Sequence, residues 1–266
     1  MLTNAAYLRD MVMRAMDGDI GTVNEFYFDD KAWVIRYLTV GTGGWFGDRQ
    51  VLISPISIVH ADWQAWRLEV ALTKPQVKNS PGIDTHQPVS RQHEAAYLDY
   101  YGYSYHWIGP NMWGPVLYPS GLPIPASIIK EDGPSSRIQR ESRDSHLRSN
   151  DAVTGYHIEA RDGEIGHVEG FVMDDETWAI RYLQVATKNW WPGKKVLVSP
   201  SWIQRVSWAD SKVYPSLSRD VIKNAPAYTE SGPITREYEE QLHRHYGQPP
   251  YWLHEARQKS LSSLTA

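Results

Sequence analysis

The chain repeats its own sequence at a constant spacing of 145 residues. Three segments return at that spacing, residues 17–21 as 162–166, residues 33–38 as 178–183 and residues 51–55 as 196–200. The register continues without insertion or deletion as far as Trp107 in the first copy and Trp252 in the second. Two copies that keep one register must solve the same packing problem in the same way. The sequence therefore predicts one architecture built twice.

Composition narrows the classes of function. The 266 residues suffice for two ordinary domains, which commonly run to roughly 100–150 residues each. The absence of cysteine excludes disulfides and cysteine-ligated metals. A net charge of −4 without a basic block speaks against nucleic-acid binding. No apolar run could span a bilayer and no secretory signal is visible, so the sequence predicts a soluble, cytoplasmic protein.

Each copy has the pattern of short strands followed by a helix. An Asp-Gly pair between apolar runs predicts a tight hairpin turn at 17–18 and again at 162–163. Gly21 and Gly166 fall inside the next strand, where glycine indicates a bulge or a bend. Five or six short strands with no crossover helix predict a small antiparallel barrel.

A helix is expected after the strands of each copy. Ser90 and Thr235 are suitable N-caps, and Gly102 and Gly247 are suitable terminators. An aromatic tail then closes each copy, and a Pro-rich, polar stretch separates the two. The predicted organisation is repeat 1 with its helix at 1–107, a linker at 108–146, repeat 2 with its helix at 147–255, and a tail at 256–266.

These segments resemble the PRC-barrel family, named for the H subunit of photosynthetic reaction centres. The resemblance rests on residues 18–23 with Asp29-Asp30, on 33–40 and on 51–55, together with their counterparts in the second copy. It implies a mainly β protein of two tandem, small antiparallel PRC-type barrels, each followed by a short helix and an aromatic tail. It also implies a bacterial cytoplasmic protein that acts as a non-enzymatic adaptor. The chain shows no counterpart of the H subunit's transmembrane helix, while peripheral membrane association stays open.

Several residues repeated in both copies have expected structural roles. Asp29 and Asp174 lie at chain reversals, where aspartate commonly bonds its own backbone. Arg36 and Arg181 lie among apolar strand positions and need acidic partners, and the turn aspartates are nearest in sequence. Trp33 and Trp178 begin alternating strands, in which Trp33 should share a face with Ile35 and Tyr37. The predicted structural set is Gly21, Gly166, Asp29, Asp174, Arg36, Arg181, Trp33 and Trp178.

The loops after these strands are the candidate binding sites. The first carries Trp45 and Phe46, and the second carries Trp190, Trp191 and Lys194. Exposed aromatic rings on such loops could contact a protein partner or a sugar, or could plug the end of a barrel. The second loop is bulkier and more basic than the first, so we do not expect both copies to bind one ligand.

The sequence indicates no catalytic residue, no cofactor and no metal site. His243 and His245 are two residues apart, which on a helix places them on different faces. We therefore predict a non-enzymatic interaction or scaffold module with a protein partner. Two equivalent barrels could also pair about a pseudo-twofold axis. The alternatives are an RNA-processing or ribosome-associated adaptor, and a hydrolase that uses Asp29 or Asp174.

Overall fold

The computed structural model describes residues 1–43, 49–81, 91–109, 111–114, 116–119, 146–187, 194–230, 232–253 and 255–256. The chain divides into two compact units. Unit 1 consists of Met1, Ala5–Val153 and Met173–Ile180, and unit 2 consists of Leu2–Asn4, Thr154–Val172 and Arg181–Ala266. Each unit thus takes most of its residues from one copy. Unit 1 adds two short segments of the second copy, and unit 2 adds one short segment of the first. The repeat and linker boundaries derived from the sequence stay a prediction.

The elements of the second copy follow those of the first at the spacing of the sequence repeat. The strands are β1 (Leu2–Asn4), β2 (Val12–Ala15), β3 (Gly18–Asp29), β4 (Val34–Gly41), β5 (Gln50–Ile53), β6 (Ile58–Asp62), β7 (Arg67–Val70), β8 (Leu147–Ser149), β9 (His157–Ala160), β10 (Gly163–Asp174), β11 (Ile180–Thr187), β12 (Lys195–Val198), β13 (Ile203–Ser207) and β14 (Lys212–Pro215). The α-helices are α1 (Lys74–Lys78), α2 (Arg91–Tyr101), α3 (Asn150–Val153), α4 (Arg219–Lys223) and α5 (Arg236–Tyr246). Short 3-10 helices lie at Ala5–Leu8, Pro55–Ser57 and Pro200–Trp202.

In the described residues the strands form two seven-stranded sheets of matching order. The sheet of unit 1 runs β5-β4-β3-β2-β7-β6, with β8 also paired to β3. The sheet of unit 2 runs β12-β11-β10-β9-β14-β13, with β1 also paired to β10. The predicted mainly β, duplicated fold is confirmed. One strand of each sheet, β8 or β1, comes from the N-terminal part of the other copy.

One pair in each sheet differs from the antiparallel arrangement expected from the sequence. Strands β2 and β7 run parallel, as do β9 and β14. A parallel pair cannot be joined by a tight hairpin and needs a long connection. The chain supplies that connection, because β3 to β6 lie between β2 and β7 in sequence. No helix among the described residues has both the length and the apolar character needed to cross a membrane.

Glycine is required inside β3 and β10 by the close approach of a neighbouring strand. A Cβ atom added at Gly21 would lie 1.8 Å from the carbonyl oxygen of Gly41. One added at Gly166 would lie 1.9 Å from the carbonyl oxygen of Ala186. The β9–β10 register also shifts between Glu164 and Gly166, which is the signature of a bulge. In both copies a backbone carbonyl oxygen therefore lies where the Cβ atom of any other residue would be.

The predicted start of β4 is one residue too early. Trp33 has φ +53° and Trp178 has φ +60°, so each ends a turn in the left-handed region. Strand β4 begins at Val34, and both of its faces are buried. Within unit 1, the N–H of Ile35 donates to the Trp178 carbonyl at 2.9 Å, and the N–H of Ile180 donates to the Trp33 carbonyl at 2.7 Å. The left-handed turn directs each tryptophan carbonyl toward the equivalent segment of the other copy.

Helix α5 begins and ends as the sequence predicts. The Thr235 side chain accepts the N–H of Tyr238 at 3.3 Å, and Gly247 closes the helix with φ +62°. Gly102 has φ +69° after α2, whereas Ser90 lies outside the described residues. The core of unit 1 beneath α2 is rich in tyrosine. Its buried members are Tyr27, Tyr37, Leu52, Tyr97, Leu98, Tyr103 and Leu147.

Candidate functional site

One of the five predicted binding residues, Lys194, lies in the part of the chain that the structure describes. Trp45, Phe46, Trp190 and Trp191 lie outside the described residues. Lys194 is described, and its ammonium group donates to the carbonyl oxygen of Lys223 at 2.7 Å. A cation is favourable at that place because the carbonyl groups at the end of a helix carry partial negative charge. Lys194 thus anchors the end of its loop to α4.

The same anchor closes the equivalent loop of the first copy. Arg49 occupies the position of Lys194, and its Nη2 donates to the carbonyl oxygen of Ser80 at 2.9 Å, just beyond α1. The hydroxyl of Thr42 donates to the Arg49 carbonyl at 2.8 Å, and that of Thr187 donates to the Lys194 carbonyl at 3.0 Å. Both loops therefore start and end on hydrogen-bonded residues, and the basic residue of each has a structural contact.

The turn aspartates are engaged by their own turns. Oδ1 of Asp29 accepts the N–H groups of Lys31 and Ala32 at 2.9 and 3.1 Å. Asp174 accepts the two equivalent N–H groups at 3.0 and 3.4 Å. Oδ2 of Asp29 also lies 3.8 Å from Nη2 of Arg36. These contacts match the turn-forming interpretation better than a pair of acid/base carboxylates.

The two buried arginines also have partners that are distant in sequence. Nη1 of Arg36 donates to the Met112 carbonyl at 2.6 Å, and its guanidinium lies 4.8 Å from the ring centroid of Trp113. Residues 112 and 113 belong to the predicted linker, so part of that stretch packs into unit 1. Nη2 of Arg181 forms an ion pair with Glu255 at 2.6 Å. Arg36 has the partners Met112 and Trp113 in addition to Asp29, the turn aspartate that the sequence indicated for it.

A network of buried polar groups joins α5 to β11 in unit 2. The Tyr182 hydroxyl donates to Oε1 of Glu239 at 2.9 Å and lies 3.0 Å from Nε2 of His243. The Tyr251 hydroxyl donates to the same carboxylate oxygen at 3.0 Å. The second oxygen of Glu239 is paired with Nη1 of Arg236 at 3.0 Å. The carboxylate is thus bonded from the sheet, from its own helix and from the aromatic tail.

Burial controls the electrostatics of this network. Tyr182, Glu239 and His243 are between 0% and 3% exposed. Desolvation raises the pKa of the Glu239 carboxyl, although Arg236 and the two hydroxyls act against that rise. The same cause lowers the pKa of the His243 ring and raises that of the Tyr182 hydroxyl far above its ordinary value. Such groups stabilise the packing of α5 on the sheet, and water and substrates do not reach them.

Unit 1 builds the same network with its histidine in another place. The Tyr37 hydroxyl donates to Oε1 of Glu94 at 3.3 Å, which repeats the pair of unit 2. Nε2 of His106 lies 3.6 Å from that oxygen. At the spacing of the repeat, His106 corresponds to Tyr251 of the second copy, and Leu98 corresponds to His243. The sequence analysis did not identify this network, although the Tyr and Glu recur in register and could have indicated it.

Comparison with known families gives a match within the first copy. Residues 8–74 match the family model of the PRC-barrel domain. These residues form a PRC-barrel domain. The matched segment contains β2 to β7, and the second copy has the same element order, as the two sheets show. A search of curated proteins gives no match to the chain.

Unit 1 carries an aromatic pair on its surface that the sequence analysis did not single out. The rings of Tyr7 and Trp66 lie edge to face, with centroids 5.8 Å apart and planes at 61°. The two side chains are 39% and 42% exposed. In the second copy the corresponding residues are Ala152 and Ser211. Within the described residues, no group of three histidine or acidic side chains is arranged to hold a metal ion.

Proposed function

We propose that the protein is a non-enzymatic interaction or scaffold module whose two units present different surfaces to a protein partner. The observation that carries this proposal is that buried carboxylates form hydrogen bonds within the fold. Glu239, Glu94 and Asp29 are buried and bonded to groups of their own unit. A carboxylate held in this way stabilises a fold, whereas general acid or base catalysis requires one that reaches the substrate.

The alternatives have less support. A hydrolase based on Asp29 or Asp174 would need these carboxylates turned toward a bound substrate, and both accept backbone N–H groups of their turns. An RNA-associated adaptor would need a basic surface, and the net charge of the chain is −4. Lys194, the basic residue at the described end of the second predicted binding loop, donates to a helix-end carbonyl.

The proposed contact sites are the loops that follow β4 and β11. The ends of these loops are anchored by Arg49 and Lys194, which both donate to a backbone carbonyl at or just beyond the end of a short helix. The copies therefore share a frame while the residues between the anchors differ. A scaffold that holds variable loops on fixed ends is a common design for binding proteins. The pairing of the two barrels about a pseudo-twofold axis stays a prediction.

Affinity capture with the full chain, followed by titration of each purified candidate partner, tests this function. We expect the double variant Trp190→Ala/Trp191→Ala to weaken binding by about tenfold or more, which corresponds to about 1.4 kcal/mol. The matched variant Trp45→Ala/Phe46→Ala makes the same change in the first copy and reports whether both loops take part. Full binding by both variants, at unchanged stability, would place the partner site elsewhere. Turnover of a substrate by the purified chain would contradict the non-enzymatic proposal.

A further inference from the structure

Two histidines lie directly opposite each other on neighbouring strands of unit 2. His157 on β9 is the partner of His167 on β10 in the antiparallel register. The N–H of His157 donates to the Ser211 carbonyl at 2.9 Å, on the β14 side of β9 and away from β10. The two histidines therefore form a non-hydrogen-bonded pair, in which Cα atoms are about 4.5 Å apart and side chains approach each other most closely.

Both imidazole rings lie on the solvent-facing side of the sheet. The residues that follow them along the strands, Ile158 and Val168, are 0% exposed and point into the core. His157 and His167 are half-buried, and the side chain of His157 keeps 45% of its surface exposed. Because side chains alternate between the faces of a sheet, the two rings lie side by side where an ion from solution can reach them.

The ring of His157 is oriented by a carboxylate. Its Nδ1 lies 3.0 Å from Oε1 of Glu164. A neutral imidazole beside an ionised carboxylate carries its proton on the nitrogen that faces the carboxylate, which leaves the lone pair of Nε2 available. Histidines that ligate metal ions commonly make this second contact, because it fixes both the tautomer and the direction of the ring.

The charges beside the pair favour a cation. Lys212 is the neighbour of His157 on β14, and its ammonium is paired with Glu159 at 3.2 Å. Glu164 adds a second carboxylate, so these three charged groups together are negative. Imidazole nitrogens bind zinc, copper and nickel ions, whereas magnesium and calcium prefer oxygen ligands.

The first copy forms the same strand pair without histidine. Val12 on β2 and Thr22 on β3 occupy the two positions and are partners in the same register. The pairing of the strands therefore does not depend on imidazole rings. The two histidines are ten residues apart along the chain, so only the folded sheet brings them together, and the sequence analysis predicted no metal site.

We propose that His157 and His167 bind a divalent transition-metal ion such as Zn²⁺ through their ring nitrogens, with Glu164 orienting the first of the two rings. Within the described residues no group of three histidine or acidic side chains is arranged to hold a metal ion, so the chain supplies two ligands. The remaining positions of a four-coordinate zinc ion are then open to water. The site goes beyond the proposed function, because it does not involve the loops after β4 and β11.

Titration of the full chain with ZnCl₂ at about pH 7.5, where ordinary imidazoles are neutral, tests the site. Binding is followed by the histidine ring signals in NMR spectra. We expect saturable shifts of both rings, and at least tenfold weaker binding by His157→Val and by His167→Thr. These variants copy the residues of the first copy at the same positions, so they should fold. Glu164→Gln keeps both ligands and should weaken binding by about tenfold.

His60→Gln is the matched control, because His60 is a single exposed histidine on β6 whose partner on β7 is Glu69. It should bind zinc like the wild type, and MgCl₂ should shift neither ring of the pair. Equal shifts with Mg²⁺, unchanged zinc affinity in both variants of the pair, or an equal loss of affinity in His60→Gln would each overturn the proposal. The variants at Trp190 and Trp191 keep both histidines, so the outcome here is independent of the partner-binding test.

Discussion

Replacement of Gly166 by alanine is the sharpest test of the duplicated sheet. The new Cβ would lie 1.9 Å from the Ala186 carbonyl oxygen and 2.9 Å from its carbon. Observed Cβ contacts do not fall below 3.0 Å, so the backbone of β10 or β11 must move by roughly an ångström. Overpacking of this kind costs about 1–3 kcal/mol. Two hydrogen bonds lost between the separated strands add about 1 kcal/mol each.

The expected destabilisation of Gly166→Ala is therefore about 4 kcal/mol, a large part of the 5–15 kcal/mol that typically stabilises a domain. Urea unfolding of the full chain, followed by far-UV circular dichroism, measures it. With a slope of about 2 kcal/mol/M, the midpoint of the affected transition falls by about 2 M. Gly21→Ala should act alike in unit 1, where the oxygen of Gly41 is 1.8 Å from the new atom.

The matched control for these variants is Gly232→Ala. A Cβ atom at Gly232 meets no atom within 4 Å, and the residue is not in the left-handed region. Alanine there should leave stability unchanged or raise it slightly, because it restricts the unfolded chain. A Gly166→Ala protein within about 0.5 kcal/mol of the wild type would refute the steric argument. It would mean that β10 and β11 separate at little cost.

The buried networks give two further predictions. Tyr182→Phe removes a hydroxyl that donates to Glu239 at 2.9 Å, and it should lower the free energy of unfolding in urea by about 2–3 kcal/mol. Tyr37→Phe removes a hydrogen bond of 3.3 Å to Glu94 and should lower it by less. Equal losses would contradict the difference in geometry. Burial lowers the pKa of His243, so the unfolded chain takes up its proton first as the pH falls below about 6.5, and folded unit 2 loses stability. His243→Gln should therefore lose less unfolding free energy than the wild type between about pH 7.5 and pH 5.5, and an equal loss in both proteins would refute this role of the ring.

The repeated elements were accessible from the sequence because their signals are local. The Asp-Gly turns, Gly21, Gly166 and the alternating strand residues define hairpins within a few positions of one another. The spacing of the two copies then carries each element of the first onto the second. Short-range turn chemistry, read twice in one register, was enough to predict a mainly β and duplicated fold.

Long-range pairing was not accessible in the same way. Strand β8 pairs with β3 although more than a hundred residues separate them along the chain. Arg181 forms an ion pair with Glu255, which lies far from it along the chain and which no local pattern indicates. The left-handed turn at Trp33 was equally hidden, because no local preference favours tryptophan in that conformation. Each of these features is decided by neighbours that only the folded chain brings together.

The two copies differ both in their buried networks and at their surfaces, and the two kinds of difference have different physical causes. In the core the differences compensate each other. Where the second copy gains His243 in place of Leu98, it has Tyr251 in place of His106, and both networks still surround a buried glutamate.

At the surface the two copies carry their aromatic rings at different positions. Tyr7 and Trp66 stand opposite Ala152 and Ser211, and the turn that contains Ser211 keeps its backbone bond without the indole. A core difference is constrained by packing density, so a change at one position requires a change at another. A large exposed ring is not constrained by packing density in this way. The backbone of Trp66 also adopts a costly left-handed conformation. The second copy instead pairs Tyr156 with Trp208, whose ring centroids lie 6.1 Å apart, so each unit keeps an aromatic pair at this turn while the positions of the rings change.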